Sequence, residues 1–378
     1  MPYPGRPLRA LASSVRHGLR DVFSTARSRR RDPRRRYKNT DVSVLRVRRG
    51  DVYARVSTVG HTGERTFVLV PGIGVAATYF ERLAPALNEF GPVHALDLPG
   101  FGGVPHPPNA RHMTIGDYAE LVGAVIDDLG LDDPVVLGHS MGTQVVAELA
   151  ARRPGLTTIV LLGPVMNPHE RRVPIAAWRF LQSSVREPVQ VAVLASAAYL
   201  LCGPRWFSRV LPEMMQYRIE DVLPRIRAST LVIRGEHDRL VPRGWAEEVA
   251  EAIPHARAWE IPDASHSVMH AHAEEVARLC VEHARAPQPE RDEAELRRFP
   301  DDEVDRSQED APIDDPLGAI RGRVTELAGI LVDDDSLIAE GKTQHAEATD
   351  PAALQESDTD AGDGDPGPDL FDDPATTR

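Results

Sequence analysis

Gly138-His139-Ser140-Met141-Gly142 is the stretch whose reading decides the fold. The apolar run Pro134-Val135-Val136-Leu137 precedes it and reads as a buried strand, and Thr143 to Arg152 follows it as a helix. Strand, G-x-S-x-G and helix in that order form a nucleophile elbow, a sharp turn that lifts a serine hydroxyl above the sheet edge. The glycines leave room for strained backbone and for close strand–helix packing. Met141 opens the helix, so its backbone N–H can point at a developing oxyanion. An ordinary glycine-rich turn is the competing reading, and the strand and helix on its two sides favour the elbow.

On the N-terminal side, the alternating runs Val44 to Arg48 and Val52 to Val56 flank Gly50-Asp51 and read as a β-hairpin. Phe67 to Val70 is a short buried strand ending in Pro71-Gly72-Ile73-Gly74, with a helix after it carrying Phe80, Leu83, Ala84 and Leu87 on one face. Val93 to Leu96 is the next strand. Residues 114–130 read as a helix opened by Thr114, with Asp117 at the capping-box spacing where Glu or Gln is usual. On the C-terminal side, Thr158 to Leu162, Leu231 to Ile233 and Ala258 to Ile261 are further strands separated by helical patterns. Strands alternating with helices imply a mostly parallel α/β sheet of eight strands with helices on both faces and the hairpin as its antiparallel edge.

Residues 164–227 interrupt the alternation without strand signals. A structureless loop of that length does not suit a compact domain, so this stretch reads as a helical cap insertion. Within it Val189 to Gly203 is apolar except for Gln190 and Ser196. About fifteen residues is too short to span a bilayer, so the default is a buried cap helix and the sharper alternative a lipid-facing lid.

The two ends of the chain differ from its middle. Residues 1–38 carry twelve Lys/Arg against two Asp, whereas residues 286–378 carry eight Lys/Arg against 27 Asp/Glu. The net charge of −13 therefore says little about the partner of the patterned middle. Leu8, Leu11, Val15, Leu19, Val22 and Phe23 fall at helical spacing among arginines, so residues 1–39 read as a basic leader, amphipathic enough to lie on an anionic membrane surface. A solvated leader is the bland alternative. Nucleic-acid binding is not expected, because no aromatic interleaving or binding fold accompanies the charge. Cys202 and Cys280 are the two cysteines and lack metal-ligand spacing. A disulfide scaffold is thereby excluded, a reducing compartment fits, and neither metal nor cofactor is expected. No run of about 18 apolar residues and no secretory h-region is present, so a cytoplasmic protein, peripheral at the membrane if the leader binds it, is expected.

The order and motifs from about residue 40 to 285 resemble the α/β-hydrolase family. The resemblance implies a Ser–acid–His triad in that chain order, with Ser140 as nucleophile. Arg234-Gly235-Glu236-His237-Asp238-Arg239-Leu240-Val241-Pro242 is similar to the family's G-x-x-D-x-x-V-P segment, and Asp238 falls on its aspartate, with Glu236 as the competitor. Pro262-Asp263-Ala264-Ser265-His266 follows the last strand, and His266 occupies the place of the family's histidine, with Ser265 where many members have Gly. His270 and His272 lie on the helix that follows and read as solvated surface. The resemblance places the oxyanion donors at the backbone N–H groups of Met141 and Ile73, the latter after Pro71-Gly72 where the family has His-Gly. Asp97-Leu98-Pro99-Gly100-Phe101-Gly102 resembles the family's D-x-P-G-x-G turn and reads as structural.

Residues 286–317 read as an acidic linker and 350–378 as a disordered acidic tail. Between them Gly329 to Lys342 resembles part of the CsbD-like bacterial stress-response family, implying a short helical segment over 318–349; a docking helix is the alternative. The implied function is a serine hydrolase that cleaves a carboxylic ester or related acyl substrate with a hydrophobic part. A non-catalytic or membrane-associated binding protein on the same fold is the alternative.

Overall fold

The computed structural model describes residues 42–108, 112–286, 318–319, 321–322, 325–326 and 335–349. The basic leader, the acidic linker and the last acidic stretch lie outside the described residues.

The apolar runs become eight strands. They are β1 (Val42–Arg49), β2 (Val52–Val59), β3 (Phe67–Val70), β4 (Val93–Asp97), β5 (Val135–His139), β6 (Thr158–Leu162), β7 (Ser229–Gly235) and β8 (Ala256–Ile261). They form one sheet in the order β1-β2-β4-β3-β5-β6-β7-β8. The β1–β2 and β2–β4 pairs are antiparallel and all the others parallel. This is the sheet expected from the sequence. β2 alternates buried and half-buried residues, as a strand covered on one face does. β3 to β7 are buried along their whole length because helices cover both faces. The pleat sends Val68 and Val70 into one core layer and Phe67 and Leu69 into the other. At the open edge, Arg46 stacks on the Tyr53 ring (5.2 Å to its centroid), which keeps β1 cationic and discourages edge-to-edge pairing.

Five helices flank the sheet: α1 (Leu83–Asn88), α2 (Ile115–Asp128), α3 (Met141–Arg152), α7 (Arg243–Ala252) and α9 (Ala273–Arg285). The first layer holds the apolar faces of α2, α3 and α7; the second holds those of α1 and α9. Thr114 caps α2 with the full box. Its Oγ1 accepts from Asp117 N (3.1 Å), and Asp117 Oδ2 accepts from Thr114 N (2.9 Å). The shorter Asp side chain thus closes the box.

Between β6 and β7 the chain forms three helices, α4 (Val173–Val185), α5 (Val189–Cys202) and α6 (Pro204–Gln216). Tyr199 joins them: its ring lies 6.5 Å from Phe180 on α4 and 5.5 Å from Phe207 on α6. Trp206 Nε1 donates to Pro99 O (3.2 Å) and Gln144 Nε2 to Met214 O (2.9 Å), fastening α6 to the main body. The near-continuous apolar character of α5 does not mean full burial. Val191, Ala198 and Cys202 are buried, whereas Leu200 is 80% and Leu201 64% exposed. Cys202 and Cys280 are both buried free thiols. No described helix is long and apolar enough to cross a membrane.

A short four-residue helix, α8 (Val268–Ala271), follows the loop after β8. In the tail, α10 (Asp335–Thr349) crosses helical residues of the 318–326 stretch at Gly322 and Gly341. A Cβ on Gly341 would stand 2.2 Å from Glu326 N, so the backbones touch and only glycine fits. Ala319 and Ala348 from this pair enclose Val185 at the end of α4.

Candidate active site

Ile73, Ser140, Met141, Asp238 and His266 all lie beyond the C-terminal end of a parallel strand, the end at which open α/β sheets bind ligands. Ser140 follows β5 and is held at φ 53° and ψ −121°, a conformation that non-glycine residues rarely adopt. Its N–H donates to Leu162 O at the end of β6 (3.0 Å), and its carbonyl accepts from Thr143 N (2.9 Å) and Thr143 Oγ1 (2.6 Å). The flanking glycines are steric requirements. A Cβ on Gly138 would meet Gly142 O at 2.3 Å, and one on Gly142 would meet Val70 O at 2.3 Å.

Asp238 follows β7 and is buried. Leu240 N (3.0 Å) and Val241 N (3.2 Å) donate to its Oδ1, which leaves Oδ2 to accept from His266 Nδ1 at 2.7 Å. Glu236, the competing acid, accepts from Asp263 N (2.9 Å) instead. Burial opposes a charge on His266, but the Asp238 carboxylate, its hydrogen bond and a second carboxylate, Glu187, outweigh that and hold the imidazole pKa above its ordinary value. Because Nδ1 is the donor, Nε2 is the basic nitrogen. Nε2 has no hydrogen-bond partner among the described residues.

Ser140 and His266 line one cavity of about 860 Å³, counting its open mouth. Gly72 and Ile73 form part of its wall, and a Cβ on Gly72 would lie 3.1 Å from Ser140 Cβ, which sets the Pro71-Gly72-Ile73 turn against the serine. The other walls are apolar. Val173, Ala176 and Phe180 come from α4, Tyr199 from α5, and Leu211, Met214 and Met215 from α6. The structure thus brings Ser140, Met141, Ile73, Asp238 and His266 to one place. Pro71, where a histidine was the family expectation, leaves the turn in position. Asp97, in the turn read as structural, accepts from Ala77 N (2.6 Å) and Arg55 Nε (2.7 Å) and so braces the chain beside the cavity.

Sequence reasoning missed a set of residues around His266. His139, inside the opening motif, is buried, and its Nε2 donates to His266 O (3.1 Å); its ring centroid lies 4.8 Å from that of His266. Burial and the neighbouring His266 push the His139 pKa well below the ordinary value, so it is a neutral brace. Tyr79 Oη shares a hydrogen bond with Ser267 Oγ (2.5 Å), and Ser267 N donates to Glu187 Oε1 (2.6 Å). Ser183 on α4 accepts from Arg239 N at 2.9 Å. These partners stand dozens of residues apart in the chain, and no local pattern marks them. His270 corrects an expectation: it is buried, not solvated, with Nε2 3.4 Å from Glu81 Oε1, because α8 packs its histidine face inward. Among the described residues Glu236, His237 and Asp263 bring one donor atom each within 4.8 Å of one another, on the partly exposed side of the Asp238 loop.

Comparison with known proteins bears on the family. Residues 67–279 match the alpha/beta hydrolase family. A pimeloyl-[acyl-carrier protein] methyl ester esterase of Aromatoleum aromaticum is 27% identical over 245 residues, covering 56% of this chain and 95% of the esterase. Lipase LipV of Mycobacterium tuberculosis is 30% identical over 208 residues, covering 47% of this chain and 77% of the lipase. In fold, the crystal structure of a bacterial membrane phospholipase A is similar, with a TM-score of 0.57, 22% identity, and coverage of 74% of this chain and 96% of that one. By the matched segment, the sheet order and the elbow at its centre, this chain belongs to the alpha/beta hydrolase family.

Proposed function

We propose that the protein is a serine hydrolase that cleaves a carboxylic ester, or a related acyl compound, with a hydrophobic acyl part. One observation carries this reading: the His266–Asp238 pair presents an unpartnered, basic Nε2 to the same apolar cavity that Ser140 lines. Ser140 Oγ attacks the acyl carbonyl carbon while His266 Nε2 takes its proton. The carbonyl oxygen becomes an oxyanion facing the Ile73 and Met141 N–H groups, each such donor being worth about 10²–10³ in turnover. Collapse of the tetrahedral intermediate expels the alcohol oxygen, which leaves with the proton from His266, and Ser140 carries the acyl group. Water then gives a proton to His266 and its oxygen to the acyl carbon, and a second collapse releases the acid and returns the proton to Ser140. Asp238 holds the imidazole in the required tautomer and stabilises the imidazolium. Helices α4 to α6 act as the cap, and their apolar wall selects the acyl chain.

The cap also supports an amphiphilic substrate met at an anionic lipid surface. Leu200, Leu201 and Trp178 (48%) are exposed on it, with Arg172 and Arg205 exposed on the same helical insertion.

A fluorophosphonate probe followed by a panel of acyl esters of rising chain length tests the proposal. Wild type labels, Ser140→Ala does not, and kcat/KM rises with chain length until the cavity is filled. Replacing Leu200 and Leu201 by serine slows hydrolysis in anionic vesicles and spares a short dissolved ester. Absence of labelling from pH 6 to 9 removes the serine-hydrolase reading.

A further inference from the structure

The turn between α4 and α5 sends a carboxylate back toward the histidine loop. Glu187 is buried at that turn, and its Oε1 accepts from the backbone N–H of Ser267, the residue after His266, at 2.6 Å. One helical turn earlier Ser183 accepts from Arg239 N (2.9 Å), with its Oγ 3.5 Å from Asp238 Oδ1. The insertion is therefore stitched to the acid loop by Ser183 and to the histidine loop by Glu187. Two further contacts grip the His266–Ser267 pair from the main body, His139 Nε2 on His266 O and Tyr79 Oη on Ser267 Oγ.

We infer that Glu187 is a positioning residue for His266: it fixes the Ser267 N–H from the insertion side and sets a second carboxylate beside the imidazole. This inference rests on the serine-hydrolase reading for its catalytic consequence and on geometry for its existence. A purely architectural role would need only a neutral acceptor for the Ser267 N–H. Burying a carboxylate there instead costs desolvation, and the return on that cost is electrostatic, because negative charge beside an imidazole favours the imidazolium.

The groups facing Glu187 agree with that logic. They are His266 and Asp238 on the two site loops and the Tyr79 phenol from the turn after β3. Arg186, its neighbour in the chain, acts on His237. Burial pushes the Glu187 carboxyl up to about 7, against the hydrogen bonds from Ser267 and the attraction of His266. Its charge is thus present above neutrality, the range in which His266 must start as a free base. The same charge is one of the influences that raise the His266 pKa.

The test is a ¹⁵N titration of His266 in the full-length chain, its signals assigned by their loss in His266→Gln. Glu187→Gln keeps the acceptor for Ser267 N–H and removes the charge, so the His266 midpoint moves to lower pH. With an ester substrate the acid limb of kcat/KM moves the same way, kcat at its plateau falls about three- to tenfold, and KM stays within about twofold. Glu187→Ala adds a loosened loop to the same displacement. In the wild-type chain, needing no variant, the ¹³Cδ of Glu187 and the ring nitrogens of His266 share an inflection, since each titrates in the other's field. An unmoved His266 midpoint in Glu187→Gln, or independent single-step titrations in wild type, overturns the inference. The titration requires no turnover, so the two readings fail separately. A displaced midpoint without ester hydrolysis sinks the activity alone; Ser140-dependent hydrolysis with an unmoved midpoint sinks the positioning role alone.

Discussion

Asp238 spends its two oxygens differently: Oδ1 on the backbone of its own loop, Oδ2 on His266. The first pair of bonds aims the second. Asp238→Asn keeps the shape of the loop and can offer an N–H where an acceptor is needed, which turns His266 to the wrong tautomer. Steady-state kinetics should show kcat lowered by about 10³–10⁴ with folding intact by circular dichroism; a loss below tenfold would mean that another group orients the histidine. The five residues of this proposed centre were legible as candidates in the sequence because each sits in a short motif next to a strand end. Glu187 and Tyr79 were not, because their meeting with Ser267 spans 80 and 188 residues of chain. His139 was visible inside the motif, yet its bond to the His266 carbonyl belongs to tertiary packing alone.

At the level of elements, legibility followed periodicity. Buried parallel strands announce themselves as apolar runs, and α2 and α9 as one-sided stripes. α5 is apolar all round, so its sequence carried no direction; burial of Val191 and exposure of Leu200 depend on where α4 and α6 stand. End chemistry is more local. The Thr114 box on α2 joins the N–H groups of Thr114 and Asp117 to side-chain oxygens, and Thr114→Ala should lower stability to urea by about 1 kcal/mol while leaving ester turnover unchanged. An equal stability for both chains would show that water satisfies that helix end as well as threonine does.

At the level of the whole molecule, burial sets opposed pH dependences. His283 on α9 is buried, donates from Nε2 to Ser229 O on β7 (3.1 Å), and burial pushes its pKa down to about 4. A depressed folded-state pKa means that the unfolded chain binds more protons between about 6.5 and 4. Stability from this group is complete above pH 6.5 and is lost as pH falls through that window. Glu187 runs the other way, since its raised carboxyl pKa favours the folded state at low pH. The two oppose each other in the intact chain, so the His283 contribution shows best as a difference. His283→Gln, which keeps a donor for Ser229 O, should gain about 3 kcal/mol relative to wild type between pH 7 and pH 4 in urea unfolding. Parallel stability curves for the two chains would show that His283 charges without penalty.

The hydrogen bond from Ser140 N to Leu162 O makes the main chain of the proposed nucleophile a rung of the central sheet. Its amide therefore exchanges with deuterium only when β5 separates from β6, an event close to global unfolding. The amides of α4 and α5 need only the smaller opening of the insertion. Slower amide exchange at Ser140 than along α4 and α5 is the expected signature.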